Sequence, residues 1–274
     1  MTEAPPAPDL LALAVRLADQ GAALARKLRS EAITDIGTKS SDTDVVTAAD
    51  HAVERLVIDE LARLRPGDAV LSEESGSRGE QAGAAVRWIL DPIDGTVNYL
   101  YGVPYYAVSL AAEVAGIVIA GVVHNAATNE RWVAVRGSGA YRGDFGVGPR
   151  LAGSAETTLG QSLIATGFGY HPARRRHQAE VLAALADRIR DIRRFGAAAL
   201  DLCLAAEGLV DGFFEKGLNA WDMAAGALIA MEAGLMVTNI DGGPPDRSFL
   251  VAAPPAIHRA LRPVLANLDA AGGP

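Results

Sequence analysis

Cysteine is almost absent from this chain of 274 residues. Cys203 is the only one, so no disulfide can form within the chain, and a reducing cytoplasm is the expected setting. It lies in an apolar helical run and reads as packing, not chemistry. The amino terminus lacks a basic segment followed by a short apolar one, which argues against a secretory signal. Positive charge is in deficit: 25 Lys and Arg stand against 33 Asp and Glu, for a net charge of −8. That balance argues against a general nucleic-acid binder. The one dense basic stretch, Arg174-Arg175-Arg176, with Arg188, Arg190, Arg193 and Arg194 further on, reads as a solvated helix face. Paired zinc-ligand spacing is missing too, since His51, His124, His171, His177 and His258 fall in no recognised pattern. A membrane span is excluded on similar grounds. Tyr105 to Val123 is long and apolar, but Glu113 and Gly116 interrupt it and its Val and Ile residues favour strands. It is expected to form two buried antiparallel strands joined near Ala115-Gly116.

What is present is material for a large core, because half of the residues are hydrophobic. Residues 1–8, rich in Pro and Ala, are expected to be a loose tail. Leu10 to Leu28 and Ala48 to Leu64 carry apolar residues at helical spacing, and Pro66-Gly67 stops the second helix. Val70-Leu71 is a short strand ending at Ser72-Glu73-Glu74, Ser75 to Ala84 a Gly-rich loop, and Val86 to Leu90 a buried strand. In the second half, strand-like segments at 162–165, 191–193, 212–214, 235–238 and 249–252 alternate with helix-like ones at 173–189, 197–207, 221–233 and 255–268. The mixture predicts layers of helices and sheets. No internal repeat and no clean linker occur, so residues 9–270 are expected to form one domain with two lobes, about 9–150 and about 151–270.

The chemistry concentrates in Trp88-Ile89-Leu90-Asp91-Pro92-Ile93-Asp94-Gly95-Thr96. An apolar strand ends in two aspartates; Pro92 stiffens the turn and Gly95 permits an unusual backbone angle. Thr96 then stands where a helix could begin, and free N–H groups at a helix start suit a phosphate. An ordinary Asp-rich turn is the plain alternative. Against it stand further acids in matching contexts: Glu73 at a strand end, Asp222 opening a helix after Asn219, and Asp50 at the start of the second helix. If Glu73, Asp91, Asp94 and Asp222 converge, the site needs a cation. Two like charges about 4 Å apart cost on the order of 4 kcal/mol at an effective dielectric near 20. Several such pairs rival the roughly 5–15 kcal/mol net stability of a domain. Ligands made only of oxygen point to Mg²⁺, with Mn²⁺ as the alternative. Phosphatases with an aspartyl nucleophile separate their two aspartates by one residue; here two intervene, which disfavours a covalent aspartyl intermediate.

These motifs resemble those of the inositol monophosphatases, and among them the bacterial inositol-1-monophosphatases, over about Leu10 to Leu268. The strongest blocks are the Trp88–Thr96 segment and Trp221-Asp222-Met223-Ala224-Ala225-Gly226. Lys39-Ser40-Ser41, Val46-Thr47-Ala48-Ala49-Asp50, Ser72-Glu73-Glu74-Ser75 and Phe195-Gly196-Ala197-Ala198-Ala199 support them. The resemblance implies an αβαβα sandwich of the inositol monophosphatase and fructose-1,6-bisphosphatase type, usually a lithium-sensitive homodimer, acting on a small phosphorylated polyol. It implies that Glu73, Asp91 and the Ile93 carbonyl hold one Mg²⁺ and that Asp91, Asp94 and Asp222 hold a second. Glu73 would also contact a third, weaker ion. Thr96 and Asp50 would activate the attacking water, and the Gly95 and Thr96 N–H groups would bind phosphate. Gly196, Ala197 and Ala198 backbone groups, with Glu215 and Asp222, would hold the alcohol, and Lys39 would sit on a mobile hairpin closing over the metals.

Within that resemblance, inositol monophosphate is the leading substrate, and histidinol phosphate or fructose 1,6-bisphosphate would use the same acids. Asn219 and Ala220 stand where some animal members carry His and Cys, which leaves ring selectivity open. Arg174 or Arg175 from a neighbouring subunit is an alternative substrate contact. A regulatory protein of the transcription machinery, with the Arg-rich helix as its surface, is the rival of a different class.

Overall fold

A computed structural model describes residues 5–31, 37–38, 45–79 and 84–274, with only the backbone described at 45–46. Lys39, expected on a closing hairpin, lies outside the described residues. The chain runs through α1 (Ala7–Glu31), a small ribbon of β1 (Gly37–Thr38) and β2 (Val45–Val46), and α2 (Ala48–Leu64). Next come β3 (Ala69–Ser72), β4 (Gly76–Arg78), β5 (Arg87–Asp94) and the short helix α3 (Thr96–Tyr101). A meander follows: β6 (Ala107–Val114), β7 (Ile117–Asn125), β8 (Arg131–Val135) and β9 (Gly139–Arg142). The second half alternates β10 (Leu163–Thr166), α4 (Pro172–Leu185), β11 (Asp191–Arg193), α5 (Ala198–Glu207), β12 (Gly212–Glu215) and α6 (Ala220–Glu232). It ends with β13 (Met236–Thr238), β14 (Leu250–Ala253) and α7 (Pro255–Asn267).

The strands form a seven-stranded sheet in the order β4-β3-β5-β6-β7-β8-β9 and a five-stranded sheet in the order β11-β10-β12-β14-β13. Strand periodicity shows how they stack, because successive side chains leave a strand on opposite faces. On the larger sheet, Trp88, Leu90, Val108, Leu110, Val122 and Val133 pack with α1 and α2 residues such as Leu17, Val53 and Val57. The alternate residues Ile89, Ala107, Ala111, Val123 and Trp132 face the other way, into a core built by α5, α6 and one face of the second sheet. That second sheet turns Ala165, Phe213, Leu250 and Ala252 inward. It turns Ile164, Phe214, Val251 and Ala253 outward against α4 and α7, through Val181, Leu185, Ile257 and Leu261. The layers are therefore helix, sheet, helix, sheet, helix, the order that the resemblance implied.

The central helices are covered on both sides, which explains their composition. A Cβ on Gly226 would come within 2.9 Å of Leu202 Cβ, and one on Gly121 within 3.1 Å of the Ala225 Cα. Small residues let α6 approach both α5 and β7 closely, while each buried Leu, Val or Phe contributes roughly 1.5–3 kcal/mol.

Several expected boundaries move. α1 starts at Ala7, inside the expected tail, because Pro6 supplies the first acceptor: Asp9 N–H and Leu10 N–H both donate to its carbonyl, at 3.0 and 3.2 Å. The expected Gly-rich loop contains β4, which pairs with β3 through Val70–Arg78, Leu71–Ser77 and Ser72–Gly76. β5 does not stop at Leu90. Asp91 pairs with Ser109 and Asp94 with Ala107, with a register break between them. α4 ends at Leu185, four residues before the expected Ile189. The Tyr105–Val123 stretch is the β6–β7 hairpin, turned at Ala115 (φ 52°) and Gly116 (φ 80°), the two positive angles that a tight hairpin turn requires. No described helix is long and apolar enough to cross a membrane.

Candidate active site

The register break in β5 shapes the site. Asp91 and Asp94 flank the point where the pairing of β5 with β6 is irregular, and the Asp91 carboxylate accepts the Ile93 N–H at 3.1 Å. The turn then reaches Gly95, whose φ of 89° lies in the left-handed region. A Cβ there would stand 3.0 Å from the Tyr105 carbonyl and 3.1 Å from the Ala197 Cβ, so both conformation and space call for glycine. Gly95 caps α3, and Thr96 is its first residue.

The Thr96 hydroxyl lies 3.1 Å from Asp50 Oδ1 and 3.1 Å from the Ile93 carbonyl, both acceptors for its single proton. Asp50 is fully buried. Its Oδ2 accepts the Thr47 N–H at 2.8 Å and the Thr47 hydroxyl at 2.6 Å, while the Ala49 N–H donates to Thr47 Oγ1 at 3.2 Å. The capping box that starts α2 thereby fixes the carboxylate that meets Thr96.

Asp94 and Asp222 are held in the same manner, one carboxylate oxygen on a backbone amide. Asp94 Oδ2 accepts the Ala199 N–H at 2.7 Å, across the start of α5. Asp222 Oδ2 accepts the Asn219 N–H at 2.6 Å, at the start of α6. Glu73 follows β3, in a turn held by Glu54 of α2, whose Oε1 accepts the Glu74 and Ser75 N–H groups at 3.2 and 3.0 Å. Glu73, Asp91, Ile93, Asp94, Gly95, Thr96, Gly196, Ala197, Ala198, Glu215 and Asp222 all line one cavity of about 810 Å³. Asp50 stands behind that wall, reached through Thr96. Every described site residue predicted from sequence is thus at one place.

Their charges interact. Burial pushes the Asp91 carboxyl well above its usual range; the negative charges of Glu73, Asp94 and Asp222 push it further, as does a hydrogen bond with Glu73. A hydrogen bond between two carboxyls needs a proton on one of them, and a divalent cation can stand in that proton's place. Burial likewise raises Asp94 to about 7, against the pull of its backbone hydrogen bonds to Ala199 and Ala198. Glu215, at the end of β12, is raised well above the ordinary range by burial first and then by Asp201 and Asp222. Among the described residues, no three His, Cys, Asp or Glu side chains are drawn into a ready-made metal-holding group. What the fold supplies is an acidic wall whose donors are all oxygen, which fits a hard cation such as Mg²⁺ and not zinc.

Four residues here carried no signal in the sequence. Glu54, on α2, is 4% exposed. Asn98 donates from Nδ2 to the Tyr105 carbonyl at 2.9 Å and to the Phe195 carbonyl at 2.8 Å, tying the α3 turn to the segment before α5. Asp201 is buried on α5, with Oδ1 accepting the Tyr105 hydroxyl at 2.7 Å and Oδ2 without a partner. Arg247, from the loop before β14, lines the cavity. Arg174, expected from a neighbouring subunit if at all, lines the cavity of its own chain. At the start of α5 the Ala198 and Ala199 amides also bond the Asp94 carboxylate.

A family model described as the inositol monophosphatase family matches residues 8–269. The chain is 44% identical to the inositol-1-monophosphatase SuhB of Mycobacterium tuberculosis over 275 residues, which cover 95% of this chain and 94% of that protein. It is 37% identical over 239 residues to the Nus factor SuhB of Escherichia coli, covering 85% of this chain and 86% of that one. Among solved structures, the extragenic suppressor protein suhB of Bartonella henselae matches with a TM-score of 0.86 at 34% identity, over 94% of this chain and 98% of that one.

Proposed function

The chain belongs to the inositol monophosphatase family, and from that premise we infer that it hydrolyses inositol monophosphate to inositol and phosphate by direct attack of water. The observation that carries this reading is the Thr96 hydroxyl hydrogen-bonded to buried Asp50 beside Asp91 and Asp94. A hydroxyl tied to a buried carboxylate, next to acids that need a cation, is a way of taking a proton from water.

Glu73, Asp91 and the Ile93 carbonyl are the residues to hold one Mg²⁺, Asp91, Asp94 and Asp222 a second, and Glu73 a third and weaker one. Bound there, the ions supply charge neutralisation and a more acidic water. Thr96 Oγ1 would take a proton from the attacking water as its own hydrogen passes to Asp50 Oδ1. The N–H groups of Gly95 and Thr96, at the start of α3, hold phosphate oxygens. Asp222, Glu215 and the backbone at Gly196–Ala198 orient the polyol, since a carboxylate can accept from two hydroxyls. Nothing in this sequence of events needs a phosphoenzyme. Apart from Asp222, the metal and phosphate groups come from residues 9–150, and the polyol contacts come from residues 151–270. The reading includes a cytoplasmic, lithium-sensitive homodimer.

Phosphate release from inositol 1-phosphate, histidinol phosphate and fructose 1,6-bisphosphate, measured across a magnesium titration, tests it. Turnover of inositol 1-phosphate should rise from background with Mg²⁺ and fall again with chelator. Histidinol phosphate outpacing it by on the order of a hundredfold would overturn the substrate assignment. The relative named Nus factor SuhB favours a second reading, a regulatory binding protein. Magnesium-dependent release from no polyol phosphate at all would favour that reading.

A further inference from the structure

A phosphorylated polyol bound as above lies across two parts of the chain that are far apart in sequence. Its phosphate belongs at Gly95 and Thr96, and its alcohol at Gly196–Ala198, Glu215 and Asp222. A ligand that joins two groups gains from both only where the two sites are correctly spaced. Asp94 bridges the two parts through the Ala199 N–H, but it is also a proposed metal ligand. Asn98 bridges them without charge and does not itself line the cavity. It stands in the first turn of α3, with two hydrogens on Nδ2. Those hydrogens serve the Tyr105 carbonyl at 2.9 Å and the Phe195 carbonyl at 2.8 Å. Each acceptor adjoins one half of the site. The Tyr105 carbonyl is the group that would stand 3.0 Å from a Cβ on Gly95. Phe195 directly precedes Gly196, where φ is 95° and a Cβ would stand 3.3 Å from Asn98 Nδ2 itself. The junction is packed around the amide: the Tyr105 and Phe195 ring centres are 5.2 Å apart, and the Tyr105 hydroxyl reaches Asp201 on α5.

We propose that Asn98 is a positioning residue whose amide fixes the distance between the phosphoryl and polyol halves of the cavity. It thereby favours substrates in which one covalent link joins a phosphate to a polyol over phosphates that have no hydroxyls to place. The inference rests on the phosphatase reading for which end of the substrate lies where. A side-chain amide suits the task. Its two donors diverge at a fixed angle from one planar group, so both carbonyls are held at once. Being neutral, it adds no negative charge beside the acidic wall and does not compete for a hard cation as a carboxylate would.

The test uses the magnesium-loaded protein and compares a joined ligand with a free one. Inorganic phosphate needs only the Gly95–Thr96 half, whereas inositol 1-phosphate must reach both. In Asn98→Ala the KM for inositol 1-phosphate should rise on the order of tenfold, while the inhibition constant of inorganic phosphate should stay within about threefold of its wild-type value. Turnover of 4-nitrophenyl phosphate, whose ring offers no hydroxyl, should also change by less than about threefold. Asn98→Ser, whose single hydroxyl hydrogen can serve only one carbonyl, should move the ratio of KM to inhibition constant in the same direction. Neither constant depends on the folded fraction, so both remain readable if the alanine variant is partly unfolded. An amide with a structural role alone would lower the melting temperature and leave that ratio unchanged, and this result overturns the proposal. An equal loss on 4-nitrophenyl phosphate and inositol 1-phosphate overturns it too. The phosphatase reading fails separately, if the wild-type protein releases phosphate from no substrate. The same ratio, taken then from calorimetric dissociation constants, would still decide the role of Asn98. Wild-type protein that does not bind inositol 1-phosphate at all would overturn both.

Discussion

At the scale of single residues the site depends on one hydroxyl. Thr96 Oγ1 links the cavity to Asp50, whose other oxygen accepts from Thr47. Removing it should slow chemistry more than binding. Thr96→Ala is expected to lower kcat by about 10²- to 10⁴-fold with KM changed only a few-fold. It should cost about 1–3 kcal/mol of stability, since Asp50 loses a donor inside the fold. Thr96→Ser keeps the hydroxyl and should recover most of the rate. Steady-state kinetics beside thermal unfolding reads both; equal losses in the two variants would remove Thr96 from the proton path. The sequence shows Thr96, Asp91 and Asp94 readily because they are contiguous and follow an apolar strand. Glu54 and Asp201 are not visible in it, because what makes them functional is a partner elsewhere: Glu54 meets Ser75 and Asp201 meets Tyr105. On a helical wheel each is simply a polar residue.

At the scale of elements, what brings the acids together is a set of helix starts and one strand irregularity. Asp50, Asp94 and Asp222 each accept a backbone N–H in the first turn of α2, α5 or α6. A carboxylate there is favoured by otherwise unpaired amides and by the helix dipole. The Gly95 turn is the least forgiving of these junctions. Gly95→Ala would need a positive φ, together with room already taken by the Tyr105 carbonyl, the Ala197 Cβ and the Gly196 carbonyl. It is expected to destabilise the fold by roughly 1–3 kcal/mol and to shift α3 enough to weaken phosphate binding. Denaturant unfolding and phosphate inhibition would measure the two effects; a variant unchanged in both would mean that the turn relaxes freely. Element type was legible here wherever periodicity was long, as in α2, whose expected and observed bounds coincide at Ala48–Leu64. It failed at β4, where Gly-Ser-Arg has no β-branched or aromatic residue and pairing with β3 alone makes the strand. It failed again at the end of β5, because Asp91-Pro92-Ile93-Asp94 looks like a turn, yet Asp91 and Asp94 both remain paired to β6.

At the scale of the whole molecule, the layering forces acids into the interior and leaves a mark on stability. Asp201 is raised to about 7, mainly by burial, although the Tyr105 hydroxyl lowers it. It is separate from the proposed metal ligands. A carboxyl whose pKa is higher in the folded chain than in the unfolded one is released first by unfolding. Its neutral form is therefore compatible with the fold below about pH 4, and stability is lost as pH rises toward about 7. The unpartnered Oδ2 supplies the structural reason, since ionisation would place charge on an oxygen with no donor. In chelator, the melting temperature of the native protein should fall between about pH 5 and about pH 8, and Asp201→Asn should fall less over the same interval. Magnesium should raise the melting temperature more at the upper pH than at the lower, because there protons no longer compete for the acidic wall. That gain should persist in Asp201→Asn, whose side chain the cation does not touch. If the variant kept the full pH dependence, the buried carboxyl of α5 would be ionised at no cost. If it lost the magnesium response, Asp201 would have to be counted among the groups that hold the wall in place.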